Sequence, residues 1–121
     1  MGIVAALGAS QESGQTSGLS PHILTNDRWT QWKGPGLGDF KTWECAEPER
    51  APEGWWEACT GTNGGWGYNP GCPLPEAAWF VAKRESCNRW GGNFLPNVGP
   101  APDGTMPEDF YTVCAELAKL N

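Results

Sequence analysis

Short apolar runs, separated by long segments rich in glycine and proline, organise the chain after about residue 20. Three runs are short enough for buried strands and end at turn-forming residues: 22–25, 55–60 and 93–98. Residues 75–89 begin at a proline and carry Arg89 at their end, a polarity that predicts a helix. Gly91 and Gly92 follow, and one of them is expected to adopt the left-handed conformation that ends a helix.

A second helix is predicted at the end of the chain. Thr105 and Glu108 have the spacing of an S/T-x-x-E capping box. An apolar face then recurs at i, i+3, i+4 and i+7, with residues Phe110, Val113, Cys114 and Leu117. The order strand, loop, strand, helix, strand, helix predicts a parallel α/β sheet. In such folds the loops that follow the strands lie at one edge of the sheet and bind ligands.

Two segments stand apart from these elements. Residues 1–20 are dominated by glycine, alanine, serine and glutamine without periodicity, so we expect a flexible or non-native lead-in before one domain over 21–121. Residues 28–53 are expected to form a loop that carries three tryptophans and an acidic cluster. Because long structureless loops are uncommon in compact domains, a functional role is favoured for this one.

Composition narrows the choice of ligand. The 17 glycines, 11 prolines and 8 tryptophans suit a loop-rich, aromatic-lined carbohydrate site, unless the tryptophans merely pack beneath the loops. A net charge of −6 argues against nucleic acid, because phosphate binding requires a basic surface. No apolar run is long enough to span a membrane. One histidine and five cysteines without a CxxC pair argue against a metal site, and the cysteines are either small hydrophobes or form one or two disulfides.

Four motifs along residues 21–108 carry a family resemblance. In order they are Asn26-Asp27-Arg28-Trp29, Gly38-Asp39-Phe40-Lys41-Thr42-Trp43-Glu44, Trp56-Glu57-Ala58-Cys59-Thr60 with Trp66-Gly67-Tyr68-Asn69, and Asn97-Val98-Gly99-Pro100 with Asp103-Gly104. They resemble the second half of the catalytic barrel of the family 29 glycoside hydrolases, the α-L-fucosidases. The resemblance implies a partial (β/α)8 TIM barrel, made of carboxyl-terminal βα units with long loops. A complete barrel needs about 250 residues, so the chain is expected to be a fragment of one.

The resemblance implies a retaining glycosidase that removes terminal α-L-fucose from a glycan or glycoside. Such a reaction needs two carboxyl groups about 5–5.5 Å apart. Glu44 matches the family's general acid/base. A proton donor near neutral pH needs an apolar neighbour or a like charge that raises its pKa, and Trp43 is the expected neighbour. The alternative is that Glu44 belongs to a solvated acidic run with Glu47, Glu49 and Glu53.

Four residues are expected to bind the substrate: Arg28, Trp43, Trp66 and Tyr68. Arg28 matches a substrate-contacting arginine, whose fixed donors suit sugar oxygens. The alternative for Arg28 is an ion pair with Asp27 or Asp39. Trp66 and Tyr68 are expected either to stack on an apolar sugar face or to pack their own loop. No cofactor or metal is implied by the resemblance.

Half of the family's active site has no counterpart in the sequence. The nucleophile, an aspartate, and the sugar-binding histidines belong to earlier strands of the family's barrel. The chain is therefore expected to be inactive alone and to self-associate through open sheet edges. The alternatives are a non-catalytic carbohydrate-binding remnant and, as the poorest fit, a small disulfide-stapled secreted protein. The resemblance suggests a periplasmic or secreted protein, although residues 1–8 do not make a convincing signal peptide.

Overall fold

The computed structural model describes residues 24–28 and 38–120. Their elements, in chain order, are β1 (Lys41–Glu44), β2 (Trp56–Gly61), α1 (Ala77–Asn88), β3 (Asn93–Asn97) and α2 (Glu108–Leu117). The three strands form a parallel sheet in the order β1-β2-β3. The predicted parallel α/β sheet is therefore confirmed. Neighbouring strands follow one another along the chain, as in the wall of a barrel, but three strands are fewer than the eight that close one.

Strand prediction succeeded for β2 and β3 and failed for the part of the sheet before them. β2, α1 and β3 lie within two residues of their predicted bounds. β1 was missed, because it lies inside the expected loop 28–53 and only one of its four residues, Trp43, is apolar. The predicted buried strand 22–25 is wrong for residues 24 and 25, which are not in a strand, and Leu24 is exposed. Residues 22 and 23 lie outside the described part of the chain. Pairing begins instead at Asn26, as an isolated parallel bridge to Phe40.

The core lies between the sheet and α1, on what we call the helix-side face of the sheet. Its buried residues and those packed against them are Trp56, Ala58, Cys87, Trp43, Trp90 and Phe94. The Trp56 indole nitrogen donates a hydrogen bond to the Trp90 carbonyl oxygen at 3.0 Å. Gly92 lies directly against the Trp56 ring, where a Cβ atom would fall 2.1 Å from Cε2. The backbone there approaches the ring so closely that only glycine fits.

The turn after α1 behaves as predicted and the start of α2 does not. Gly91 adopts the left-handed conformation, with a φ of 72°. α2 begins after Pro107, which makes no side-chain cap, so the predicted capping box is wrong. The Thr105 hydroxyl donates instead to the Asp103 carboxylate at 2.7 Å, and this bond lowers the pKa of Asp103. Neither α1 nor α2, the helices of the described residues, is long and apolar enough to cross a membrane.

The predicted apolar face of α2 is only partly buried. Val113 is buried, whereas Cys114 is exposed. The main contact of α2 is with α1, so only a narrow stripe of its surface is covered. All five cysteines of the chain lie among the described residues and are free thiols there.

A non-helical segment connects β1 to β2 and is fastened to α1 by one carboxylate. Glu47 forms an ion pair with Lys83 and accepts a hydrogen bond from the Ser86 hydroxyl at 2.8 Å. The bonds from Lys83 and Ser86 hold the pKa of Glu47 below its usual value. Glu47 is thus anchored rather than freely solvated, so the acidic run of this loop is not a uniform charged surface.

Candidate functional site

Polar side chains of β1 and β2 share the far face of the sheet, the face turned away from α1. Parallel pairing places Thr42 opposite Glu57 and Glu44 opposite Cys59. Because successive strand residues point to opposite faces, these four side chains share one face. The Thr42 hydroxyl donates to Glu57 Oε1 at 3.1 Å, and both side chains are buried. The row ends at the carboxyl end of β1, where Glu44 reaches solvent.

The structure brings Arg28 and Glu44 together. Arg28 Nη2 forms an ion pair with Glu44 Oε2, and the two side chains are 39% and 34% exposed. Arg28 is therefore paired with the predicted acid/base, Glu44, rather than with Asp39. The Asp39 carboxylate instead accepts a hydrogen bond from the Thr25 N–H at 2.9 Å. An ion pair at this exposure is worth roughly 1 kcal/mol or less. Both side chains remain partly exposed at the carboxyl end of β1.

A short segment before Arg28 docks on β1 and sets this geometry. The Asp27 N–H donates to the Phe40 carbonyl oxygen at 2.9 Å. Asp27 Oδ1 in turn accepts the Thr42 N–H at 2.9 Å. The Arg28 N–H donates to Asn26 Oδ1 at 3.2 Å, which tightens the turn. The segment thus pairs with the free edge of β1 and directs Arg28 toward its carboxyl end.

Cys59 is a neighbour of Glu44 that sequence reasoning did not select. It lies directly across from Glu44 on the far face. Burial, and next the nearby Glu57 carboxylate, raise the pKa of the Cys59 thiol, so it stays uncharged near neutral pH. Its position follows from the pairing of β1 with β2, and β1 was not recognised in the sequence.

Trp43 is not brought into this cluster. Its ring packs edge-to-face against Trp56, with the centroids 5.7 Å apart, on the helix-side face. Glu44 is the next residue of the same strand and therefore points to the far face. Trp43 holds β1 to the core, and it does not line the side of the sheet that carries the ion pair.

Trp66 and Tyr68 are presented at the same edge of the sheet by a loop fastened to the end of β3. The Thr62 N–H and hydroxyl both donate to the Asn97 carbonyl oxygen, at 3.0 and 2.8 Å. The Asn97 side-chain nitrogen donates to the Trp66 carbonyl oxygen at 2.8 Å. The aromatic residues remain 44% and 41% exposed. Gly99 packs directly against the backbone of this loop at Gly67 and Tyr68.

We predict that Gly99→Ala displaces this loop. A Cβ atom at Gly99 would fall 2.2 Å from the carbonyl carbon of Gly67, and that backbone cannot rotate away as a side chain would. The expected cost is about 1–3 kcal/mol of folding free energy, with a changed indole N–H resonance for Trp66. Urea unfolding and a nitrogen–proton correlation spectrum measure the two effects. Gly67→Ala is the control, because nothing lies within 4 Å of its Cβ position; equal behaviour of the two variants would contradict the prediction.

The described residues form two cavities near the sheet. One, of about 290 Å³, opens on the helix-side face beside Trp79, Lys83 and Phe94. The other, of about 210 Å³, lies at the start of the strands beside Lys41 and Trp55. Neither cavity is lined by Arg28 or Glu44, although Asp27 borders the smaller one and Cys45 and Cys59 border the larger. No cluster of three or more potential metal ligands occurs among the described residues.

The parallel sheet, with α1 connecting β2 to β3, defines an α/β protein, a class in which ligands bind at the carboxyl ends of the strands. The sequence profile of one family, described as alpha-L-fucosidase, matches residues 9–120. The chain therefore belongs to the α-L-fucosidase family of glycoside hydrolases. The match also takes in residues 9–20, which the four motifs did not reach.

Relatives and solved structures agree with this assignment. The tissue alpha-L-fucosidase of Macaca fascicularis is 28% identical over 108 residues, which cover 85% of this chain and 23% of the relative. A solved alpha-L-fucosidase is 32% identical with a TM-score of 0.71, covering 82% of this chain and 23% of its own. The Thermotoga maritima alpha-fucosidase in complex with fucose is 32% identical with a TM-score of 0.63, covering 79% and 21%. The chain thus spans less than a quarter of the length of each.

Proposed function

We propose that this chain forms the acid/base side of a retaining α-L-fucosidase site, which acts on terminal α-L-fucose. In this proposal Glu44 is the general acid/base and Arg28 contacts the sugar. The observation that carries the proposal is the ion pair between these two residues at the carboxyl end of β1. Two residues matched separately to the family's motifs lie in contact, at the edge where α/β enzymes place their chemistry.

The ion pair constrains how the reaction proceeds. In the first step a nucleophile attacks the anomeric carbon, and the acid protonates the leaving oxygen. In the second step the resulting carboxylate takes a proton from water, which displaces the nucleophile. The pair with Arg28 suits the carboxylate of the second step. The proposal therefore requires that the bound sugar draws the Arg28 donors to its own oxygens and frees Glu44 to hold a proton for the first step.

The second carboxylate of the proposed site comes from outside the described residues. Glu57, the nearest acid along the far face, is buried and accepts from Thr42, so it is not available to attack a sugar. We therefore propose that the chain alone is catalytically inactive. The exposed residues Trp66 and Tyr68 support a second candidate, a carbohydrate-binding remnant, because an aromatic ring stacks on a sugar without any catalytic carboxylate.

Both candidate functions require that the chain binds fucose, so fucose binding by the 121-residue chain tests them together. We expect L-fucose to change tryptophan fluorescence saturably, because Trp66 lies at the proposed site. D-fucose, the mirror image, is the matched control and should have no saturable effect. Hydrolysis of an aryl α-L-fucoside should be undetectable in the same sample. A response that is absent, or equal for the two enantiomers, would rule out a fucose site on this chain.

A further inference from the structure

The ion pair of the proposed site is too weak to fix the position of the Arg28 side chain by itself. Both Arg28 and Glu44 are more than a third exposed, and ion pairs in that setting contribute little net stabilisation. An arginine side chain also has many rotamers in solution. The placement of the guanidinium therefore depends on the backbone that carries it, and the contacts of the preceding residues decide where that backbone points.

Asp27 makes the last contacts between this segment and β1. Its N–H donates to the Phe40 carbonyl oxygen, and its carboxylate accepts the Thr42 N–H, each at 2.9 Å. The second bond takes the place of the backbone carbonyl that a continuing strand would offer. The main chain is thereby free to leave the sheet at Asp27, and Arg28 turns toward Glu44, two residues beyond Thr42 on β1.

The environment of Thr42 favours a carboxylate as the acceptor of its N–H. Thr42 is buried, so its N–H is shielded from the water that would otherwise accept from it. Its hydroxyl is already used by Glu57. A carboxylate acceptor forms a stronger bond with such an N–H than a neutral group does. The carboxylate of Asp27 therefore fixes the turn at a defined residue of β1.

We propose that Asp27 is a positioning residue of the fucoside site, whose carboxylate holds the Thr42 N–H and so delivers Arg28 to Glu44. It acts through Arg28 and touches no substrate. The consequence for sugar binding rests on the proposed function, whereas the consequence for the ion pair does not. The two are measured separately.

The experiment is a double-mutant cycle on the full 121-residue chain. Asp27→Ala and Asp27→Asn are made alone and together with Arg28→Met. The pH titration of the Glu44 carboxyl carbon, followed by carbon-13 NMR, reports whether the guanidinium lies beside it. L-fucose affinity, from tryptophan fluorescence, is the second measurement. Both Asp27 variants remove the same charge, and only asparagine keeps an oxygen in place to accept from Thr42.

Asp27→Ala is expected to shift the Glu44 titration in the same direction as Arg28→Met. The double variant Asp27→Ala/Arg28→Met should shift it no further than Arg28→Met alone. Asp27→Asn should retain most of the wild-type titration of Glu44. Of the two Asp27 variants, only Asp27→Ala should lower the affinity for L-fucose, by about fivefold or more. If the alanine variant does not fold, Asp27→Glu replaces it, because it keeps the charge and displaces the acceptor; the same shift is then expected.

Asp39→Ala is the control for general loosening of the segment. Asp39 also accepts from this segment, through the Thr25 N–H, but makes no bond to Thr42. An equal shift of the Glu44 titration in Asp39→Ala, or an unchanged titration in Asp27→Ala, overturns the proposal. Additive shifts in the double variant overturn it as well. If the wild-type chain does not bind L-fucose, the proposed function fails, and the titrations still decide the role of Asp27.

Discussion

Glu44→Gln is expected to lower kcat/KM about 10²–10⁴-fold on fucosides with poor leaving groups, measured in a protein that contains these residues together with the nucleophile. The glutamine amide has the size of the carboxyl group but cannot give a proton to the leaving oxygen. An activated leaving group, such as 4-nitrophenolate, needs little protonation and should leave almost as fast from the variant in the first step. The measurement is kcat/KM across a series of aryl fucosides, because kcat/KM reports the first step, whereas kcat also depends on the second step, in which the variant lacks its base.

The matched control for that series is Glu47→Gln. Glu47 is also a partly exposed carboxylate with a basic partner, but it lies on the connection to β2 and pairs with Lys83. Glu47→Gln should leave kcat/KM within about twofold for every substrate, because surface changes of this kind have small effects. A uniform loss across all leaving groups in Glu44→Gln, or the same leaving-group dependence in Glu47→Gln, contradicts the assignment of Glu44.

Gly92→Ala is expected to have the largest effect on stability among single methyl additions in the core. The added Cβ would fall 2.1 Å from Cε2 of Trp56, which is buried and bonded through its indole nitrogen to Trp90. The ring cannot move without losing that bond or opening the sheet. We expect a loss of about 1–3 kcal/mol or more, against a total of only about 5–15 kcal/mol for a typical domain.

Urea unfolding followed by far-ultraviolet circular dichroism measures this loss. Gly67→Ala again serves as the control, because it adds the same methyl group where nothing lies within 4 Å. The midpoint should fall in Gly92→Ala and stay near the wild-type value in Gly67→Ala. An unchanged midpoint in Gly92→Ala would mean that the core around Trp56 is not packed as the structure shows.

The elements that the sequence predicted are those whose own residues determine them. β2 is a run of buried or half-buried side chains, β3 begins directly after Gly91 and Gly92, and α1 begins after a proline and ends before those glycines. β1 is different, because its four residues form a strand only through pairing with β2, next to the bridge between Phe40 and Asn26. That pairing joins distant parts of the chain and leaves no local periodicity to detect.

In the candidate site, too, the residues could be predicted from the sequence, whereas their contacts depend on pairing between distant parts of the chain. Motif matching selected both Arg28 and Glu44, but their contact depends on the docking of the preceding segment on β1. Trp43 was expected to act on Glu44 because the two are adjacent in sequence. On a strand, adjacent residues point to opposite faces, so the ring joins the core instead. Cys59 went unnoticed for the converse reason: it is distant in sequence and adjacent across the sheet.

The most direct test of the proposed site is an NMR titration of the 121-residue chain with L-fucose. The tryptophan indole, arginine Nε–H and glutamate carboxyl signals report where the sugar binds. A fucose site at the carboxyl edge predicts saturable shifts at Arg28, Glu44 and Trp66, with none at Trp79 on the helix-side face. Shifts confined to Trp79, near the helix-side cavity, or no saturable shift at Arg28 and Glu44, would contradict it.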